Sequence, residues 1–178
     1  LLESGVAIPR TEVVSTNTAT SETKFKGITE AVYSVADGQA VSITEVKDPV
    51  FAQKMMGDGY AVEPVNGNVY APVSGTVTSV FPTKHAVGIL SDQGVEVLVH
   101  VGLDTVALNG APFSTKVADG QHVQAGDLLL VADLDAIRSA DRETTIVVAF
   151  TNSAEIKSVS LVNLRQVSKD SQVAIVEL

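Results

Sequence analysis

Short apolar segments separated by turn residues make up most of the chain from about residue 31 onward. Their residues are mainly valine, alanine, leucine and isoleucine, and Asp-Gly, Asn-Gly and Ser-Gly pairs lie between them. Valine-rich runs broken by glycine turns are typical of strands. The predicted strands cover residues 41–46, 60–64, 69–71, 76–81, 86–90, 95–101, 128–132, 145–150 and 173–177. Only residues 50–56 and 134–142 favour short helices, so the pattern predicts an all-β fold: an antiparallel β-sandwich or barrel-like single domain with very little helix.

The first 30 residues differ from the rest in composition and in hydrophobic pattern. Serine and threonine are dense between residues 11 and 29, and the apolar positions there follow no period of a strand or a helix. Such a composition predicts a flexible linker or terminal segment over residues 1–30, followed by one domain over residues 31–178. The chain begins with Leu1 and carries no signal-peptide pattern, so we expect it to be part of a longer protein.

Composition narrows the classes of function. None of the 178 residues is cysteine, which excludes disulfides, thiolate zinc sites and cysteine nucleophiles. Twelve basic against 21 acidic residues give a net charge of −9, which would repel nucleic acid and anionic lipid. The charge suits a basic protein partner, although it could equally serve solubility alone. No apolar run approaches the ~20 residues that a membrane-spanning helix needs.

Two of the three histidines flank a predicted hairpin. Strands 86–90 and 95–99 are joined by a polar turn that ends in Gly94. If the loop has two or four residues, the register continues until His85 stands directly opposite His100, with Cβ atoms roughly 4.5–5.5 Å apart. A loop with an odd number of residues would shift the register and remove this opposition. We predict the even loop, and therefore a pair of facing imidazoles.

Facing imidazoles could pack, bind a metal, or act as a nucleophile with a helper. Thr83 lies two residues before His85, and Gly102 lies two residues after His100. The threonine hydroxyl and the glycine carbonyl could each bind one ring nitrogen and fix the tautomer, so that the Nε2 atoms face each other. A neutral Nε2 can attack phosphorus, and a second imidazole can donate to the phosphoryl oxygens. The third histidine, His122, is expected to be an exposed turn residue.

The residues around this pair resemble a known family, the glucose-type enzyme IIA domain of the bacterial phosphoenolpyruvate-dependent sugar phosphotransferase system. The resemblance covers about residues 31–178 and implies an antiparallel β-sandwich or barrel-like fold. It implies a phosphotransferase component that accepts a phosphoryl group on His100 from the histidine-containing phosphocarrier protein and passes it to a cysteine of a IIB domain during sugar uptake. The matching motifs are residues 83–89 and 94–106, with 48–52, 57–59, 71–75, 108–110 and 126–129.

The resemblance also implies roles for individual residues. His85 would stabilise the phosphoryl group, Thr83 would fix the tautomer of a histidine, and Gly102 would supply a backbone carbonyl. No cofactor is required, although zinc could bind between His85 and His100 in a complex. The residues expected to contact partners are Asp48 and Asp104 on an acidic rim and Phe81, Val87 and Val101 on an apolar surface.

The same resemblance leaves the setting of the domain open. Such domains are free-standing or fused to membrane IIB and IIC parts through a linker, and we expect the fused form, on the cytoplasmic face of the membrane. A IIA-like regulatory domain of a sugar symporter is a further arrangement. The sugar is not encoded here, since specificity belongs to the membrane part.

Two other classes of protein share parts of this pattern. A zinc-dependent peptidase of the lysostaphin type has a related β core, but it needs a His-x-His pair with a further histidine and aspartate. No two histidines in this chain are separated by one residue. A lipoyl or biotinyl carrier has turns like residues 126–129, but it needs a lysine at a hairpin tip between small apolar residues. Neither Lys84 nor Lys116 has that setting.

Overall fold

Antiparallel strands account for most of residues 28–178, the part of the chain that the structure, a computed structural model, describes. This part also contains two short helices, α1 (Pro49–Ala52) and α2 (Leu134–Ser139), and 3-10 turns at Ile43–Glu45, Thr105–Leu108 and Ser153–Glu155. The strands are β1 (Thr29–Tyr33), β2 (Gly38–Ser42), β3 (Asp58–Pro64), β4 (Asn68–Tyr70), β5 (Gly75–Val80), β6 (Ala86–Ser91), β7 (Glu96–Val101), β8 (Phe113–Thr115), β9 (His122–Val123), β10 (Leu128–Ala132), β11 (Ile146–Phe150), β12 (Ser158–Leu161), β13 (Gln166–Val167) and β14 (Gln172–Glu177). The prediction of an antiparallel all-β fold with little helix is confirmed.

The strands form one large sheet and two small ones. The large sheet has eight strands in the order β13-β2-β3-β11-β7-β6-β5-β9. The small sheets have the orders β1-β14-β12 and β4-β10-β8. Both predicted histidine strands, β6 and β7, lie inside the large sheet, so neither is an edge strand.

The central strand β11 is buried along its whole length. Ile146, Val148 and Phe150 belong to the main core, whereas Val147 and Ala149 belong to a second cluster on the other face of the sheet. Successive side chains of a strand point to opposite faces, so a strand without an exposed position must be covered on both sides. Here the large sheet carries a second layer on its outer face.

That layer is built from α1 and the 3-10 turn before it. Asp48 caps the helix because its carboxylate accepts the Val50 amide at 2.9 Å, and Pro49 follows at the first helical position. The helix then places the Phe51 ring against the sheet. We call this layer the outer cluster; its buried residues are Ile43, Val46, Phe51, Ala61, Leu103, Val147 and Ala149.

The boundaries differ from the predicted ones in a few places. Apart from residues 28–30, the predicted segment 1–30 lies outside the described residues. Thr29 and Glu30 already belong to β1 and pair with Glu177 and Val176 of β14, so the sheet begins before residue 31. The predicted helix 50–56 ends at Ala52, because the chain turns at Lys54, which has a positive φ of 60°. No helix within residues 28–178 is long and apolar enough to cross a membrane.

Candidate active site

The hairpin between β6 and β7 has a different register from the predicted one. Ala86, and not His85, stands opposite His100, and the ladder closes with a Ser91 amide that donates to the Val95 carbonyl at 2.8 Å. The loop therefore has three residues, and it ends in Gly94 with a φ of +105°. The prediction of an even loop, and with it the strict opposition of the two histidines, is wrong.

The two imidazole rings nevertheless lie side by side. Their centroids are 4.9 Å apart and their planes meet at 85°. In a regular strand a shift of one residue would send His85 to the opposite face. However, β6 begins only at Ala86, and Lys84 has a left-handed φ of 61°. Because His85 follows this sharp turn, its side chain is not bound by the alternation of the strand and reaches the face that carries His100.

A tight turn holds His85 in place. The Phe81 amide donates to the Ala86 carbonyl at 3.0 Å, and the Lys84 amide donates to the Phe81 carbonyl at 2.7 Å. Within this turn the Thr83 hydroxyl lies 2.7 Å from His85 Nδ1, as the sequence predicts, and the Phe81 ring stands edge-on to the imidazole. His85 is 5% exposed, and burial lowers its pKa.

The His100 ring is held by a backbone group instead of a side chain. Its Nδ1 lies 2.8 Å from the Gly102 carbonyl, and the Phe51 ring of α1 packs against it at 5.0 Å between centroids. A carbonyl can only accept, so Nδ1 carries the proton and Nε2 keeps its lone pair. Burial and the neighbouring His85 lower the pKa of His100 to about 4, although the Gly102 carbonyl, Asp48 and Asp104 oppose the shift. At neutral pH the ring is therefore uncharged.

The carbonyl partner requires glycine at position 102. Its φ is +80°, where other residues are strained. A Cβ there would also stand 2.4 Å from the Thr105 methyl group and 2.9 Å from the Glu143 carbonyl oxygen. The sequence alone suggests an unobstructed carbonyl at Gly102; the structure adds that no larger residue fits.

The predicted partner-binding residues divide into two groups. Asp48 and Asp104 are close enough to His100 to raise its pKa, and Phe81 is 36% exposed beside His85. By contrast, Val87 and Val101 are fully buried in the main core, so the prediction that they line an exposed apolar surface is wrong. Both strands lie inside the large sheet, and these side chains occupy its inner face.

Sequence reasoning missed the residues on the outer face. Gly88 pairs with Leu98 and Leu90 pairs with Glu96, two and four positions along from His100, so these residues share its face. Together with Met56 and Phe81 they border a groove of about 410 Å³. Alternation along β7 was a usable signal: if His100 faces outward, Leu98 must do so too and Val101 must not. Phe51 was missed as well, although it lies in the matched motif 48–52.

The third histidine lies elsewhere. His122 is exposed at the first position of β9, not in a turn, and its Nε2 is 3.0 Å from the Asp92 carboxylate. Asp92 follows Ser91, at the opposite end of β6 from His85.

The pair could offer a metal ion two ligand atoms, Nε2 of His85 and Nε2 of His100. Zinc sites in proteins are usually four-coordinate, and residues 28–178 contain no group of three or more histidine, cysteine, aspartate or glutamate side chains arranged to hold a metal ion. A zinc ion between His85 and His100 would need further ligands besides these two nitrogens.

Comparison with known proteins identifies the class. Residues 30–156 match the family model described as phosphoenolpyruvate-dependent sugar phosphotransferase system, EIIA 1. The chain belongs to this family and is a component of the sugar phosphotransferase system, as the sequence motifs predict. The comparisons give no support to a zinc-dependent peptidase or to a regulatory domain of a sugar symporter.

Two individual proteins are close to this chain. The PTS system glucose-specific EIICBA component of Streptococcus pneumoniae is 60% identical over 179 residues, which cover 100% of this chain and 25% of that protein. The chain thus spans about a quarter of the length of this fused relative. Among solved structures, glucose permease IIA from Mycoplasma capricolum superposes with a TM-score of 0.76 at 38% identity, over 83% of this chain and 96% of that one.

Proposed function

We propose that His100 is the phosphoryl acceptor and that it attacks through Nε2. The group would come from the histidine-containing phosphocarrier protein and pass to the cysteine of a IIB domain. The observation that carries this proposal is the 2.8 Å contact between His100 Nδ1 and the Gly102 carbonyl. It places the proton on Nδ1 and leaves the lone pair on Nε2, and the low pKa keeps that lone pair unprotonated at neutral pH.

His85 is the helper in this proposal. Its ring is edge-on to that of His100 at 4.9 Å, and its Nδ1 is occupied by Thr83, so Nε2 is the nitrogen left for a phosphoryl oxygen. The incoming group carries negative charge that is redistributed during transfer. A donor already in place at that point lowers the barrier more than one that must first be oriented.

The surface around the pair supports a protein donor that is basic and partly apolar. Asp48 and Asp104 provide negative charge near His100, within a chain of net charge −9. Phe81, Met56 and Leu90 are exposed apolar side chains on the adjoining groove. An apolar patch with an acidic rim is complementary to a basic rim around an apolar centre, and opposite charge accelerates encounter.

We further propose that the domain works on the cytoplasmic side of the membrane as the IIA part of a larger permease. The fused EIICBA organisation of the relative supports this arrangement. In such a chain the segment before β1 would connect the domain to IIB, and the IIC part would select the sugar. The relative is named glucose-specific, and we propose sugar uptake as the shared process.

Transfer of label from the phosphorylated carrier protein tests the acceptor directly. His100→Gln should abolish labelling, whereas His122→Gln, which replaces a histidine on β9 away from the pair, should label like the unaltered protein. The label should be lost in acid and survive base, as expected of a phosphohistidine. Full labelling of His100→Gln would exclude this acceptor.

A further inference from the structure

The turn that follows β7 must keep the Gly102 carbonyl in place, although Gly102 belongs to neither a helix nor a strand. It reverses the chain through two left-handed residues, Gly102 at φ +80° and Asp104 at φ +57°. Such turns have few internal hydrogen bonds, yet the Gly102 carbonyl must stay aimed at His100 Nδ1. Something outside the turn has to fix it.

Thr105 is placed to do so. It is 0% exposed and opens the 3-10 turn Thr105–Leu108, and its hydroxyl donates to the Val101 carbonyl at 2.5 Å. Its methyl group fills the space beside Gly102, where a Cβ would stand only 2.4 Å away. The hydroxyl and the methyl group therefore act on two successive residues of the turn.

Val101 is also the backbone link between the two histidines. Its amide donates to the His85 carbonyl at 2.7 Å, while its own carbonyl receives the Thr105 hydroxyl. The next amide, that of Gly102, donates to the Thr145 carbonyl at 2.8 Å on the other side of β7. A side chain that holds Val101 therefore also holds the backbone that connects His85 to His100.

Two further contacts brace the later part of the turn. Arg142 Nε donates to the Asp104 carbonyl at 3.3 Å, and the Leu103 amide donates to the Glu143 carbonyl at 3.1 Å. The Leu103 amide belongs to the same peptide as the Gly102 carbonyl, so the Glu143 carbonyl holds one edge of that peptide, whereas the Arg142 contact lies two residues further on. The Thr105 side chain acts on the preceding peptide, which the Val101 carbonyl and the Gly102 amide share, and so holds Gly102 from its other side.

We propose that Thr105 is a positioning residue for phosphoryl transfer: by holding Val101 and Gly102, it keeps the His100 proton on Nδ1. An unconstrained neutral imidazole favours carrying its proton on Nε2, which would remove the nucleophilic lone pair. The Gly102 carbonyl reverses that preference only while it stays in place. The effect on transfer rests on the proposed function, whereas the effect on the tautomer does not.

Three substitutions separate the two parts of the side chain. Thr105→Val keeps the shape and removes the hydroxyl, Thr105→Ser keeps the hydroxyl, and Thr105→Ala removes both. Long-range proton–nitrogen correlation spectra of protein labelled with ¹⁵N-histidine report the His100 tautomer without any phosphoryl donor. Labelling by the phosphorylated carrier is then measured on the same samples, after circular dichroism has established that each is folded.

The unaltered protein and Thr105→Ser should show His100 with its proton on Nδ1. Thr105→Val and Thr105→Ala should show a substantial population with the proton on Nε2 and label roughly 5–10-fold more slowly, the consequence of one lost buried hydrogen bond. If Thr105→Val does not fold, the comparison of Ser with Ala decides. An unchanged tautomer in every folded variant that lacks the hydroxyl would overturn the inference. A failure of the unaltered protein to label at His100 would instead overturn the proposed function.

Discussion

The turn before His85 and the turn after His100 solve the same problem with different chemistry. Each supplies a partner for Nδ1 from a residue two positions away in the sequence. Before His85 the partner is the Thr83 hydroxyl, which can donate or accept. After His100 it is the Gly102 carbonyl, which can only accept. His100, the proposed nucleophile, is therefore fixed in one tautomer, whereas His85, the proposed helper, can gain or release a proton without losing its hydrogen bond.

The largest expected effect comes from removing the fixed partner. Gly102→Ala places a Cβ 2.4 Å from the Thr105 methyl group at a left-handed φ, so the carbonyl must move. We expect labelling of His100 to fall by roughly 10²–10⁴, as when an orienting group is lost and the wrong tautomer forms. Stability should fall by about 2–4 kcal/mol, measured by denaturant unfolding.

Gly120→Ala is the matched control for that experiment. Gly120 has a similar φ of +85°, but no atom lies within 4 Å of the position that an added methyl group would take. The substitution should cost only about 1–2 kcal/mol of stability and leave labelling unchanged. Equal losses of labelling in the two variants would mean that backbone strain, and not the Gly102 carbonyl, controls His100.

Removing the proposed helper, His85, should affect onward transfer more than acceptance. His85→Gln leaves the His100 nucleophile intact, so the protein should still accept phosphate. Onward transfer to a IIB acceptor should slow by about 10²–10³, the usual cost of one donor to developing charge. The measurement is single-turnover discharge of pre-labelled protein. Loss of labelling in His85→Gln with full labelling in His100→Gln would show that the two roles are reversed.

The low pKa of His100 predicts a pH dependence of stability. Unfolding returns the pKa from about 4 to its ordinary value of 6.5. Between these pH values the unfolded chain binds a proton at His100 that the folded protein does not bind. The free energy of unfolding therefore falls as the pH drops from 6.5 towards 4. The loss should approach about 3 kcal/mol and should be missing in His100→Gln. Parallel pH curves for the two proteins would contradict the assigned shift.

The smallest effect should come from the side-chain partner of the helper. Thr83→Val removes the hydroxyl at His85 Nδ1 and should slow onward transfer roughly 5–10-fold. Thr83→Ser keeps the hydroxyl and should restore the rate. If Thr83→Val matched the effect of Gly102→Ala, the two turns would be equally rigid and the distinction between fixed and adaptable partners would fail.

The sequence predicted the all-β class and most strand positions because valine runs and glycine turns report local preference. It also predicted the contacts of Thr83 and Gly102, since a spacing of two residues suffices to bring them to the rings. The hairpin register could not be predicted from the sequence, because the loop length depends on how Ser91 closes the ladder with Val95. The rings still meet, owing to a left-handed Lys84 that no periodicity reveals.

Burial was the other property that the sequence left open. Alternation along β7 separates Val101 from an outward-facing His100, but the face of Val87 depends on the register of β6 against β7, and that register could not be predicted from the sequence. The same alternation turns Leu98 outward beside His100. Pairing across strands, which is a property of the whole sheet, decides which face each residue occupies.

The most direct test is the position of the phosphorus atom itself. Protein labelled with ¹⁵N-histidine is phosphorylated by the carrier protein, and nitrogen–phosphorus coupling is recorded together with long-range proton–nitrogen correlations. The fixed tautomer predicts coupling to Nε2 of His100 alone, with its Nδ1 still protonated and bound to Gly102. Coupling to Nδ1 of His100, or to either nitrogen of His85, would contradict the account.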